Sequence, residues 1–239
     1  GLRPGCKSGM LLRSNSGTPI EPAMNADITN QQMEEIYRTL AVEDIPWNRE
    51  APPDLLVELV ETGRLKPGRV IDIGCGTGVY SRYLATQGFE VTGVDASETA
   101  IRIAREKAAA ASSAVDYKVA DVTSDVSSLP GPFDLVHEWM ILHHILPVDR
   151  DQYLANLLEL LKPGGRYLSV SFSLADRNFG DPPGGRFRRS PLGPIVYFAS
   201  LEELEKSFKP HFRIIDARIT HIPGKKDEHT VNYLFLERR

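Results

Sequence analysis

The segment VIDIGCGTGVY, from Val70 to Tyr80, runs from a short apolar stretch into a helical pattern across three alternate glycines, Gly74, Gly76 and Gly78. Val and Ile in succession read as a strand buried on both faces, which a parallel sheet between two helical layers provides. Glycine at every second position of the next loop frees the backbone and lets its N–H groups approach a ligand. In a doubly wound sheet that loop lies at the carboxyl edge of the strands, where ligands bind. The spacing is Gly-x-Gly-x-Gly. Val79 stands where the dinucleotide fingerprint Gly-x-Gly-x-x-Gly needs its third glycine, so a bound pyrophosphate is disfavoured.

The flanking sequence extends the pattern. ITNQQMEEIYRTLAVED places Met33, Ile36, Tyr37 and Leu40 at helical spacing, and PPDLLVELVETGRLKPG predicts a second helix that stops before Gly68. RVIDIG, FEVTGVD, VDYKVADV, FDLVHEWM and RYLSVSFS then read as strands, with helical patterns over TGVYSRYLATQG, SETAIRIAREKAAAA and RDQYLANLLELLKPGG. A helix over SLEELEKSF and two more strands, FRIIDARITHI and TVNYLFLE, complete the chain. The short PGKKDEH between the last two predicts an antiparallel hairpin, because a parallel return needs a longer crossover. The expected fold is a doubly wound, Rossmann-like α/β sheet of seven strands, mostly parallel, with an antiparallel C-terminal hairpin strand. Residues 25–239 are expected to form one domain, with 174–194 as an insertion.

Composition excludes several functions. A chain of 239 residues with a formal charge of −4 lacks the basic face that a phosphate-backbone binder needs, so no nucleic acid partner is expected. Cys6 and Cys75 are far apart and no Cys/His cluster appears, which argues against a disulfide framework and a metal site. No apolar run approaches the roughly 18 residues of a membrane span. The expectation is a soluble, cytoplasmic protein with no membrane partner and an open oligomeric state. Residues 1–24 carry Arg3, Lys7 and Arg13 and read as a disordered leader, a transit segment that would direct the chain to an organelle, or a foreign extension.

VIDIGCGTG, followed in order by VTGVDAS, VADV, FDLV and LLKPGGRYL, resembles the class I S-adenosylmethionine-dependent methyltransferases, over roughly Pro46 to the end. DIPWNREAPPDLLVEL, ahead of the first strand, is similar to the PWD...RP.P segment of the thiopurine, thiol, halide and tellurite methyltransferase group, with Asn48 in place of the usual acid. The resemblance implies S-adenosylmethionine as cofactor and S-adenosylhomocysteine as its product. It implies that Asp72 and the glycine loop, Gly74, Cys75, Gly76 and Gly78, hold the methionine part and ribose. Asp95, with Ala96, then binds the ribose hydroxyls, and Asp121 and Val122 flank the adenine. The position of Asp95, about 20 residues after the loop, and the capacity of a carboxylate to accept two hydroxyls agree with that role. Asp121 also reads as a helix cap, and Trp47 as either a cover for the cofactor or a core residue.

Methyl transfer from a sulfonium needs alignment, and a base only where the nucleophile carries a proton. HEWMILHHI, after the fourth strand, supplies candidates: Glu138 toward cofactor or substrate and as a catalytic group, His143 as a catalytic or substrate-facing group, and Trp139 toward substrate. Tyr37 is a further substrate candidate. Arg177, Arg186, Arg188 and Arg189, set around Phe179 and Phe187, read as a lid with Arg186 against an anionic substrate group, or as a solvated loop. The expected activity is methylation of a small-molecule acceptor through a thiol or other soft atom. The alternatives are O- or N-methylation of a metabolite, nicotinamide-dependent redox chemistry, and a non-catalytic cofactor-binding module.

Overall fold

A computed structural model describes residues 25–178, 185–225 and 227–239. The expectations for residues 1–24 and Phe179 lie outside these. Two helices, α1 (Ala26–Thr39) and α2 (Asp54–Glu61), precede the sheet. Asn25 caps α1 by accepting Ile28 N–H at 3.2 Å, and the apolar stripe through Ile36 and Tyr37 faces inward.

The alternation predicted from the sequence follows: β1 (Arg69–Ile73), α3 (Val79–Thr86), β2 (Glu90–Asp95), α4 (Glu98–Ala110), β3 (Val115–Val119), β4 (Phe133–Trp139), α5 (Arg150–Leu160) and β5 (Leu161–Phe172). A short hairpin, β6 (Phe187–Arg189) and β7 (Ile195–Tyr197), comes next, then α6 (Leu201–Phe208), β8 (Phe212–Pro223) and β9 (Glu228–Arg238). The main sheet has seven strands in the order β3-β2-β1-β4-β5-β9-β8. Only β9 opposes its neighbours, pairing antiparallel with β5 and β8, as the short connection before it requires.

Strand alternation decides which side chains meet which layer. In β1, Val70 joins the apolar cluster that includes Leu56 and Leu59 of α2 and Leu84 of α3, whereas Ile71 and Ile73 join the cluster that includes Leu157 of α5 and Leu204 of α6. Each such buried side chain contributes about 1.5–3 kcal/mol. Asp72 therefore points to the α3 side. The same count puts His137 and Trp139 on that side of β4 and Glu138 on the α5 side.

Two local readings differ. The helix expected over RDQYLANLLELLKPGG is shorter: α5 stops at Leu160, and Leu161 already pairs with Phe133 in the sheet. Pro163 disfavours helical backbone at Lys162, and Gly164 turns at φ +75°. The insertion at 174–194, expected as a lid or a solvated loop, contains β6, which pairs antiparallel with β7 just beyond it, Phe187 opposite Tyr197.

Candidate functional site

The three glycines of the β1–α3 loop all have left-handed backbone, with φ of +65° at Gly74, +53° at Gly76 and +74° at Gly78. The loop is also crowded, and the neighbours are side chains of this chain. A Cβ on Gly76 would lie 2.7 Å from the Tyr37 hydroxyl; on Gly74 it would overlap Ile141, and on Gly78 the Tyr117 hydroxyl. That last hydroxyl donates to the Gly78 carbonyl at 3.2 Å. Cys75, half-buried at the centre of the loop, has its thiol pKa pushed well up by burial and by the nearby Asp95.

Asp95 ends β2 beside this loop. Its Oδ2 accepts Gly76 N–H at 2.9 Å and its Oδ1 accepts Ser97 N–H at 2.9 Å, which leaves each oxygen a further lone pair. Burial raises the carboxyl pKa to about 6; the two N–H groups oppose that rise, and the charges of Asp72 and Glu34 add to it. Ala96 follows, half-buried. At the end of β3, Asp121 forms a turn, accepting Thr123 N–H at 2.8 Å, and Val122 is buried; no helix follows it to be capped.

Helix α1 is tied to each of these loops. Ala26 N–H donates to Asp149 at 3.0 Å, and Asn30 donates to Asp121 at 2.9 Å. Glu34 accepts the hydroxyls of Ser97 and Thr99, each at 2.6 Å. Burial works against the Glu34 carboxylate, but these hydrogen bonds leave its pKa lowered. Tyr37 reaches Gly76 and accepts Trp47 Nε1–H at 3.0 Å. Asn48, the residue that departs from the PWD pattern, accepts the Thr77 hydroxyl at 2.6 Å. Trp47 and Tyr37 therefore sit over the glycine loop in one cluster with Leu192 from the β6–β7 turn.

On the α3 side, Asp72 is committed to its own chain. It accepts the Ser81 hydroxyl at 2.5 Å and lies 2.7 Å from His137 Nδ1. The His137 ring is fully buried between Tyr80 and Trp139, and its Nε2 has no hydrogen-bond partner among the described residues. Sequence reasoning missed His137, Tyr80, Asn30 and Glu34. The signal for His137 was its register opposite Asp72, visible only once the strands are paired.

Glu138 and His143 are held differently from the roles suggested for them. Glu138 is wholly buried on the α5 side, and accepts Ile141 and Leu142 N–H at 3.1 Å each, the Tyr167 hydroxyl at 3.1 Å and the Ser169 hydroxyl. Burial raises its pKa against the pull of those four donors. His143 is buried against Phe172, 4.2 Å between ring centres, with Nδ1 3.4 Å from Phe172 N; burial lowers its pKa well below the usual imidazole value. Trp139, in contrast, lines the same wall as Tyr80.

Arg186, Arg188 and Arg189 of the insertion are engaged within the chain. Arg186 pairs with Glu203 and donates to the Tyr197 hydroxyl at 3.2 Å. Arg189 donates to the Gly193 carbonyl at 2.8 Å, and Arg177 is exposed. Arg188 is buried, donating to the carbonyls of Asp176 at 2.6 Å, Gly185 at 2.8 Å and Asn178 at 2.9 Å, with its guanidinium 3.8 Å from the Phe198 ring centre. Arg188→Ala strips donors from these carbonyls and is expected to cost about 2 kcal/mol, lowering the thermal midpoint by several degrees. Arg186→Ala, at a half-exposed ion pair, is expected to cost under about 1 kcal/mol. Thermal unfolding of the two variants checks the difference; equal midpoints contradict it.

A surface groove of about 540 Å³ opens between α3 and the turn at residues 111–114, lined by Val79, Tyr83, Phe89 and Ser113, away from Asp95. Among the described residues there is no cluster suited to a metal ion and no helix long and apolar enough to cross a membrane.

Comparison with known proteins bears on the glycine loop and the strands around it. Residues 70–165 match the family of the methyltransferase domain. The ubiquinone biosynthesis O-methyltransferase of Aromatoleum aromaticum is 38% identical over 111 residues, 46% of this chain and 45% of that protein. Probable thiol methyltransferase 2 of Arabidopsis thaliana is 29% identical over 137 residues, 57% of this chain and 61% of that protein. The chain thus spans about half the length of the first relative and under two thirds of the second. In fold it is similar to Burkholderia thailandensis 1,6-didemethyltoxoflavin-N1-methyltransferase, solved with 1,6-didemethyltoxoflavin and S-adenosylhomocysteine, at 23% identity and a TM-score of 0.69 over 92% of this chain and 93% of that one.

Proposed function

We propose, for a chain whose residues 70–165 match the methyltransferase domain family, the transfer of a methyl group from S-adenosylmethionine to a small-molecule acceptor, through a thiol or other soft atom. The observation that carries the cofactor assignment is Asp95, ionisable, at the carboxyl end of β2, with Gly76 N–H fixing its orientation and lone pairs left for two ribose hydroxyls. Three left-handed glycines let Ile141, Tyr37 and Tyr117 pack against the loop, and Tyr37 and Trp47 roof it. When bound, the cofactor supplies an electrophilic methyl carbon. Gly76 and Asp95 orient the nucleoside. The aromatic pair of Tyr80 and Trp139, in edge contact, excludes water and favours a polarisable acceptor.

The preference for a thiol rests on proton handling. Glu138 has every oxygen engaged and His143 is buried, so an acceptor that ionises by itself suits the site better than one needing a base. One observation favours a second reading, transfer to oxygen or nitrogen: His137 Nε2 is unpartnered while Asp72 holds Nδ1, the arrangement of an oriented base. The named relatives act on different atoms, so they do not separate the two.

Labelled S-adenosylmethionine incubated with thiophenol, hydrosulfide, catechol and an aromatic N–H heterocycle tests both. Methylated thiols are expected at rates at least about tenfold above the catechol. Catechol methylation without thiol methylation moves the assignment to oxygen. Binding of NADH in place of S-adenosylhomocysteine overturns the cofactor.

A further inference from the structure

The buried carboxylate of Glu138 is the least expected group near the site. An ionisable side chain with no solvent exposure is costly unless its partners need it. Two of those partners, Tyr167 and Ser169, come from β5 and fix the carboxylate from one side. The other two are the backbone N–H groups of Ile141 and Leu142, both held by Oε2 at 3.1 Å. Between the carboxylate and these amides lies Met140, at φ +64°, a conformation that residues with a side chain rarely adopt. Its N–H is pinned to the Val170 carbonyl at 2.7 Å. The chain therefore turns sharply at the end of β4, and Glu138 holds the turn.

The consequence lies one residue on. The turn lays the Ile141 side chain against Gly74, so closely that a Cβ there has no room. Gly74 follows β1 and meets Ile141 just past β4, whereas Asp95 ends β2 and Asp121 follows β3, on the other side of β1. With a nucleoside held at Asp95, the amino-acid end of the cofactor would reach toward β4, at the junction of Gly74 and Ile141.

We propose that Glu138 is a positioning residue: by holding the Ile141 and Leu142 amides it seats Ile141 against Gly74 and forms the wall of the subsite for the amino-acid part of the cofactor. This rests on reading the chain as an S-adenosylmethionine-dependent methyltransferase. It assigns Glu138 neither a proton transfer nor a contact with ligand.

The test uses two probes that share a nucleoside, S-adenosylhomocysteine and 5′-methylthioadenosine, the second lacking the amino acid. Each is titrated by calorimetry into wild type, Glu138→Gln, Ile141→Ala and the double variant. Each single variant is expected to bind S-adenosylhomocysteine on the order of tenfold more weakly, with 5′-methylthioadenosine changed by under about twofold. The double variant is expected to be no weaker than the worse single variant, because both substitutions break one contact chain. Equal losses for the two probes, additive losses in the double variant, or unchanged affinities overturn the proposal. If Glu138→Gln does not fold by circular dichroism, Ile141→Ala, which leaves the carboxylate and its donors intact, decides through the same probe contrast. Wild-type protein that binds neither probe overturns the methyltransferase reading beneath it, whereas wild type that binds both beside indifferent variants overturns only the role of Glu138.

Discussion

Gly76→Val is expected to weaken S-adenosylhomocysteine binding by about a hundredfold or more while the sheet survives. Two costs coincide at this position. The backbone stands at φ +53°, where a β-branched residue is strained, and the new Cβ would meet the Tyr37 hydroxyl at 2.7 Å. Relief of either moves Gly76 N–H off Asp95, so the carboxylate loses the donor that orients it. The sheet does not depend on this loop, since β1 pairs with β2 and β4 through residues 69–73. A native circular dichroism spectrum with no calorimetric signal is the expected pair of results. Binding within about tenfold of wild type contradicts the close-approach argument.

What the sequence made legible was whatever depends on order along the chain. The Val/Ile runs, the glycine loop and the short connection before β9 each carry local rules, and these sufficed for the seven strands of the main sheet, their direction and the place of Asp95, but not for the β6–β7 pair. Partners supplied by another strand were illegible. HEWM reads as a strand end with an acid aimed at the ligand edge, but the partners of Glu138 come from the β4–β5 register that sets it opposite Ser169. Asp72 belonged by position to the cofactor loop, yet register places His137 beside it, and Ser81, one helical turn into α3, takes its other oxygen. The glycines announced that something lies close to the backbone; that Ile141, Tyr37 and Tyr117 do so is a matter of tertiary packing. The arginines of the insertion read together as a lid or a solvated loop because nothing in RFRRS marks Arg188 as the buried one. Alternation in β6 does so once the pairing of Arg188 with Val196 is known.

Asp95→Ala is expected to lower S-adenosylhomocysteine affinity by at least about thirtyfold, because two hydroxyl hydrogen bonds to a charged acceptor are worth roughly 1.5–3 kcal/mol each before compensation by water. Wild type carries a second signature. The Asp95 carboxyl has been raised to about 6 by burial, with the neighbouring charges of Asp72 and Glu34 adding to the effect. Ribose hydroxyls donate to the ionised form, so protonation competes with the ligand: affinity is fully present well above that pKa and falls as pH drops through it. Between pH 7 and pH 5 the loss is expected to approach tenfold, tending to one decade per pH unit below the transition. Asp95→Asn removes the titration and is expected to bind weakly with no such slope over that interval. Calorimetric titrations at pH 7, 6 and 5 on wild type and both variants read the two signatures together. A wild type whose affinity stays level from pH 7 to pH 5, or an alanine variant that binds as tightly as wild type, removes Asp95 from the cofactor site.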